Sequence, residues 1–111
     1  MLVTSNYKKN DIISIKLSTG QEVVGRFNAS DATSIDVVKP TVLTLNPQSG
    51  QVMLIPWLMS IDVHSSEPVE IKNSQVVALS KPAKGISDVY LKGSSGIAMP
   101  SANELSGIIK Q

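Results

Sequence analysis

Nine of the twelve residues from Val52 to Val63 are apolar. Successive side chains of an extended strand point to opposite faces, so Met53, Ile55, Trp57 and Met59 fall on one side and Val52, Leu54 and Leu58 on the other. A strand in a small antiparallel sheet buries one face and wets the other. This one has no polar face to offer. The fold must therefore cover both sides of it. One available cover is the C-terminal part of the chain, through Ile86, Val89, Tyr90, Ile97 and Met99. The other is a second copy, because an apolar patch of this kind commonly marks an interface.

The surrounding sequence is strand-forming. Val and Ile together number 23 of 111 residues and Thr adds 5, and such branched side chains favour strands over helices. Ile13, Ile15 and Leu17 alternate with Ser14 and Lys16, and Gly20 supplies a tight turn. Val23 and Phe27 share the next inward face with Gly25 between them. A glycine there points to a sharp bend or a close backbone approach. A polar loop, Asn28–Ser34, precedes a third strand that starts at Ile35, is interrupted or bulged at Pro40, and resumes over Thr41–Leu45. Val69–Ile71, a polar turn Lys72–Gln75 and a last strand Val76–Leu79 follow. Beyond Pro82 the spacing of Ile86, Val89 and Tyr90 becomes helical, with Ser87 or Asp88 as cap. A second helical turn is expected near Asn103–Ile109. The expected organisation is one domain over residues 1–82 and an extension over 83–111, packed on that domain or on a neighbouring subunit.

Composition narrows the function. Cysteine is absent and His64 is the single histidine, so thiolate chemistry, disulfides and His-rich metal centres lack residues. His64 reads as a surface-loop residue. Ten basic and nine acidic residues give a formal net charge of +1, and Arg26 is the only arginine. That is poor equipment for gripping duplex DNA. No apolar run reaches the ~18 residues of a membrane span, and the first nine residues lack a signal core, which points to a cytoplasmic chain. No phosphate-binding loop occurs, and Gly93-Ser94-Ser95-Gly96 lacks the strand–Ser–helix context of a nucleophile elbow. The expectation is a protein that is not an enzyme and carries no cofactor and no metal.

Two motifs in order carry a family likeness. Ile13-x-Ile15-x-Leu17-x-x-Gly20-x-x-Val23-x-Gly25-x-Phe27-x-x-x-Asp31 resembles the first motif of the Sm-like family. Ile71-Lys72-Asn73-Ser74-Gln75-Val76-Val77-Ala78-Leu79 resembles the second, with Lys72 at its arginine, Asn73 at its glycine and Gln75 at its asparagine. Together they span residues 12–79, and the chain is most like the small, phage-associated members of the family. The resemblance implies an all-β fold: a small, strongly bent, five-stranded antiparallel barrel of SH3-like (Sm) type, here with a partly helical C-terminal extension. It also implies a homo-oligomeric ring made by strand pairing between copies. Met53, Ile55, Trp57, Met59, Val76 and Val77 are the expected interface residues.

By the same resemblance the ring binds single-stranded RNA, through Asp31, Asp36, Lys72, Asn73 and Gln75. Several features depart from the family. The asparagine that meets a base in the family falls at Ile35, and Asp36 reaches that place only with one extra loop residue. Lys72 keeps the arginine's charge without its flat stacking surface. The first loop carries no aromatic ring, and stacking is a large part of single-strand affinity. The binding expected is accordingly weak. A scaffold ring that binds protein, or nothing, is the alternative. Lys72–Gln75 can also be an ordinary polar turn, and Trp57 an interface or core anchor in place of a stacking platform. Asp31 is expected to order its own loop by accepting backbone N–H groups.

Overall fold

Alternation of Ile13, Ile15 and Leu17 with polar neighbours produces β1 (Ile12–Leu17), and all three side chains are buried. The structure is a computed structural model, and it describes residues 6–60, 62 and 65–94. The other strands are β2 (Glu22–Ser30), β3 (Ser34–Leu45), β4 (Val52–Pro56), β5 (Pro68–Lys72) and β6 (Val76–Ser80). A 3₁₀ turn, Asn73–Gln75, joins β5 to β6, and one helix, α1 (Lys84–Ser94), follows. The helix is too short and too polar to cross a membrane, and no other described helix does so. The expected turn at Gly20 is present, with φ +94°.

All strand pairings are antiparallel. The order is β4-β3-β2-β1-β6, and β5 also pairs with β3. Strand β3 therefore has two partners on one edge. Its first half pairs with β5, from Ser34 opposite Lys72 to Val38 opposite Pro68. Its second half pairs with β4, from Thr41 opposite Pro56 to Leu45 opposite Val52. Proline 40 does not end the strand. The chain changes partner there, with Lys39 at φ +50° taking up the bend. The doubly apolar stretch is correspondingly shorter as a strand than its sequence indicates. It stops at Pro56 and is followed by Trp57, whose N–H donates to Pro40 O at 3.1 Å. The described strands number six, not five, because two short ones lie end to end along β3.

Gly25 allows the bend. A Cβ at this position would fall on Val37 Cγ1 and crowd Pro40 Cα at 3.4 Å, and the β2–β3 register shifts on either side of Arg26. The bend curls the sheet until its far ends are close, since three residues suffice to pass from β5, beside β3, to β6, beside β1. Ile13, Ile15, Val23, Phe27, Ile35, Val37, Ile71 and Val76 fill the inside of the curl.

The helix covers the opposite face. Tyr90 is fully buried with Val24 and Leu54, and Ile86 and Val89 pack beside them with Ile12 and Leu43. Its hydroxyl lies 2.9 Å from both Val38 O and Lys39 O, at the bend of β3. The Leu54 side of β4 is thus covered by the chain's own helix. Ser87 and Asp88 lie inside α1 and do not cap it. The amides of Ile86 and Ser87 donate back to Ala83 O, and Asp88 pairs with Lys84 one turn earlier. Ile97, Met99, His64 and the helical spacing near Asn103–Ile109 lie outside the described residues.

Candidate nucleic-acid interface

The β2–β3 loop is organised by one carboxylate. Asp31 Oδ1 accepts from Thr33 N–H at 2.8 Å, Thr33 Oγ1 at 3.0 Å and Ser34 N–H at 2.9 Å. The backbone N–H groups of Thr33 and Ser34 hold the carboxyl below the usual aspartate range. Asp31 therefore shapes the loop, as its type and position indicate.

Asn73 ties this loop to the β5–β6 turn. Its backbone N–H donates to Thr33 O at 2.9 Å, and its Nδ2 donates to Asp31 O at 3.1 Å. The residue is buried, and Oδ1 has no donor among the described residues. The two motif loops, 42 residues apart in sequence, thus meet on one rim of the curled sheet. Gln75 faces a different neighbour. Its O accepts from Ser18 N–H at 2.8 Å and its Oε1 from Ser18 Oγ at 2.6 Å, which ties the turn to the end of β1.

Lys72 stands on the flank of the rim, opposite Ser34. Its ammonium is ion-paired with Glu70 on the same face, and that pairing raises its pKa, with Asp31 and Asp36 adding to the effect. Asp36 lies directly across from Glu70 in the β3–β5 ladder. It is half-buried, with Oδ1 shut off from solvent and without a donor among the described residues. Ile35 is fully buried in the core and presents nothing to a ligand. Of the five residues expected to contact RNA, Asp31 and Asn73 are in contact, Lys72 and Asp36 flank them, and Gln75 is engaged elsewhere. Glu70 was not singled out from the sequence. The alternation Glu70-x-Lys72 on one strand face was the available signal.

The expected interface residues divide. Val77 on β6 is 61% exposed, Ile55 on β4 is 40% exposed and Met59 is 86% exposed. Met53 is half-buried. Trp57 is half-buried against the inner core, and its Nε1–H donates to Gln21 Oε1 at 3.2 Å. Val76 is 6% exposed and its side chain belongs to the core, because the 3₁₀ turn sets the alternation of β6 so that Val76 points in and Val77 out. Among the described residues, β6 pairs only with β1, while β4 and β5 pair only with β3, so each presents an unpaired edge. No group of three or more His, Asp or Glu among the described residues is placed to hold a metal ion. No protein-family model and no curated protein matches the chain.

Proposed function

We propose that the chain is a non-catalytic, ring-forming subunit of Sm-like type that binds single-stranded RNA weakly at the rim built by its two motif loops. The observation that carries this reading is the Asn73 clamp, because it brings the Asp31 loop and the Lys72–Gln75 turn together. In this reading the curled sheet is an SH3-like barrel of five strands, with β4 and β5 acting as one interrupted strand. The free edge of β4 and β5 pairs with β6 of the next copy, which disposes of two exposed edges at once. Ile55 and Val77, exposed beside those edges, supply apolar contact.

A scaffold ring without RNA affinity is favoured by one specific observation. Lys72, the cation at the rim among the described residues, is already ion-paired with Glu70, with Asp31 and Asp36 nearby. Light scattering of the purified chain, followed by anisotropy titration of labelled oligo-uridine and oligo-adenosine at low salt, decides between them. An oligomer that binds RNA supports the first reading, and an oligomer that binds none supports the second. A monomer overturns both.

A further inference from the structure

The rim described above lacks two things that single-strand binding normally uses, an aromatic surface and a free cation. Both occur together elsewhere on the molecule, in the turn that precedes β1. There Tyr7 lies half-buried against Phe27, with ring centroids 6.1 Å apart and planes inclined by 44°. Next to it, Lys8 and Lys9 are exposed, and their ammonium groups have no partner among the described residues.

The turn is held in place. Asp11 N–H donates to Lys8 O at 2.9 Å, and Lys8 N–H donates back to Asp11 Oδ2 at 2.9 Å. Asn10 N–H donates to Phe27 O at 2.7 Å and Phe27 N–H to Asp11 O at 2.7 Å, which extends the β1–β2 ladder outward. Asn10 has φ +80°, the conformation that turns the chain into β1. The nearest acid in sequence, Asp11, turns Oδ2 to the Lys8 backbone amide and makes no ion pair with either lysine. Phe27, on β2, is four residues before Asp31 in the loop that follows, so the turn and the rim are joined by at most ~13 Å of extended chain. A few nucleotides of extended chain cover that distance.

We propose that the turn Tyr7–Asn10 is a second contact for the same single strand, with Tyr7 stacking a base on the part of its ring that Phe27 leaves open and Lys8 and Lys9 neutralising flanking phosphates. The proposal rests on the RNA-binding reading of the rim. It supplies the stacking and the charge that the rim lacks, and it predicts that affinity and specificity have different addresses on the molecule. The lysines set the salt dependence, and the rim sets the base preference.

The test uses full-length chain, labelled oligo-uridine and a series of salt concentrations. Two variants are compared with the native chain: Tyr7→Leu, which keeps an apolar group on Phe27, and Lys8→Gln/Lys9→Gln, which alters only exposed side chains. Tyr7→Leu is expected to weaken binding about tenfold, within the range for loss of one stacked base. The double lysine variant is expected to flatten the plot of log affinity against log salt by about 1.4, the value for two single-strand phosphates. Lys72→Ala/Asn73→Ala is the control for the rim. If that control weakens binding while both turn variants titrate like the native chain, the turn is not a contact and the rim reading stands. If the native chain binds no oligonucleotide at low salt, the rim reading falls and takes the turn with it.

Discussion

At Gly25 a single hydrogen atom in place of a side chain decides whether β2 can bend. The space a Cβ would need is taken by Cγ1 of Val37, a fully buried and stiff side chain. Gly25→Ala is expected to cost about 1–3 kcal/mol, as overpacking of a filled core does, and urea unfolding measures it. Asp31 is the other residue whose chemistry is visible one atom at a time. Its folded-state pKa is depressed, and in the unfolded chain it returns to the ordinary aspartate value. The stabilisation it gives the loop is present above that ordinary value and is lost as pH falls through the lowered one. An NMR titration following the Thr33 and Ser34 amides should place the midpoint below the ordinary aspartate value; a midpoint at that value would contradict the turn geometry. Both residues were legible in the sequence because each is a type with few other uses in its setting. Val76 was not. Which of two adjacent valines points inward depends on how the 3₁₀ turn delivers the chain into β6, and no local pattern encodes that.

On the scale of elements, α1 and the bend of β3 depend on each other. Tyr90 spans the helix–sheet contact and ends at two carbonyls of the bend, Val38 O and Lys39 O. Tyr90→Phe keeps the packing and removes the donor, leaving those carbonyls without it. The expected loss is about 1–2 kcal/mol, read as a lowered Tm. The helix itself was legible from the spacing of Ile86, Val89 and Tyr90, and its cover of Leu54 was one of two covers the apolar stretch left open. Its start was misplaced because Ser87 and Asp88 are good capping types that happen to sit within the first turns, whereas the chain caps on the Ala83 carbonyl. The stretch Val52–Val63 was read as one strand since apolar side chains continue past Pro56. Hydropathy does not register that the proline withdraws an amide from the ladder, nor that β3 bends away and accepts β5 as its next partner.

For the whole molecule, the decisive quantity is its mass in solution. A sheet whose end strands each keep one edge unpaired among the described residues, with Val77 and Ile55 exposed near those ends, is suited to joining copies in sequence. If the ring reading is right, Val77→Lys with Ile55→Lys should shift the light-scattering mass toward a single chain while circular dichroism keeps its strand signature. Trp57→Ala should weaken assembly and the fold together, because Trp57 packs on the inner core as well as lying beside β4. The succession of strands along the chain was readable from alternating runs and turn residues. The meeting of Asp31 with Asn73 was not, since it arises only when the sheet has curled far enough to bring loops 42 residues apart into hydrogen-bonding distance.

The double partnership of β3 has a consequence for how the gene can change. Strands β4 and β5 are each registered on β3 by their own hydrogen bonds, so neither relies on the length of the chain between them. Extra residues placed after Ser60 should leave both pairings intact, and doubling that connection should cost only about 0.6 kcal/mol in closure entropy. The same insertion inside Asn73–Gln75, where three residues span the curl, would pull its ends apart. Kindred sequences are therefore expected to differ widely in length at the first place and scarcely at all at the second.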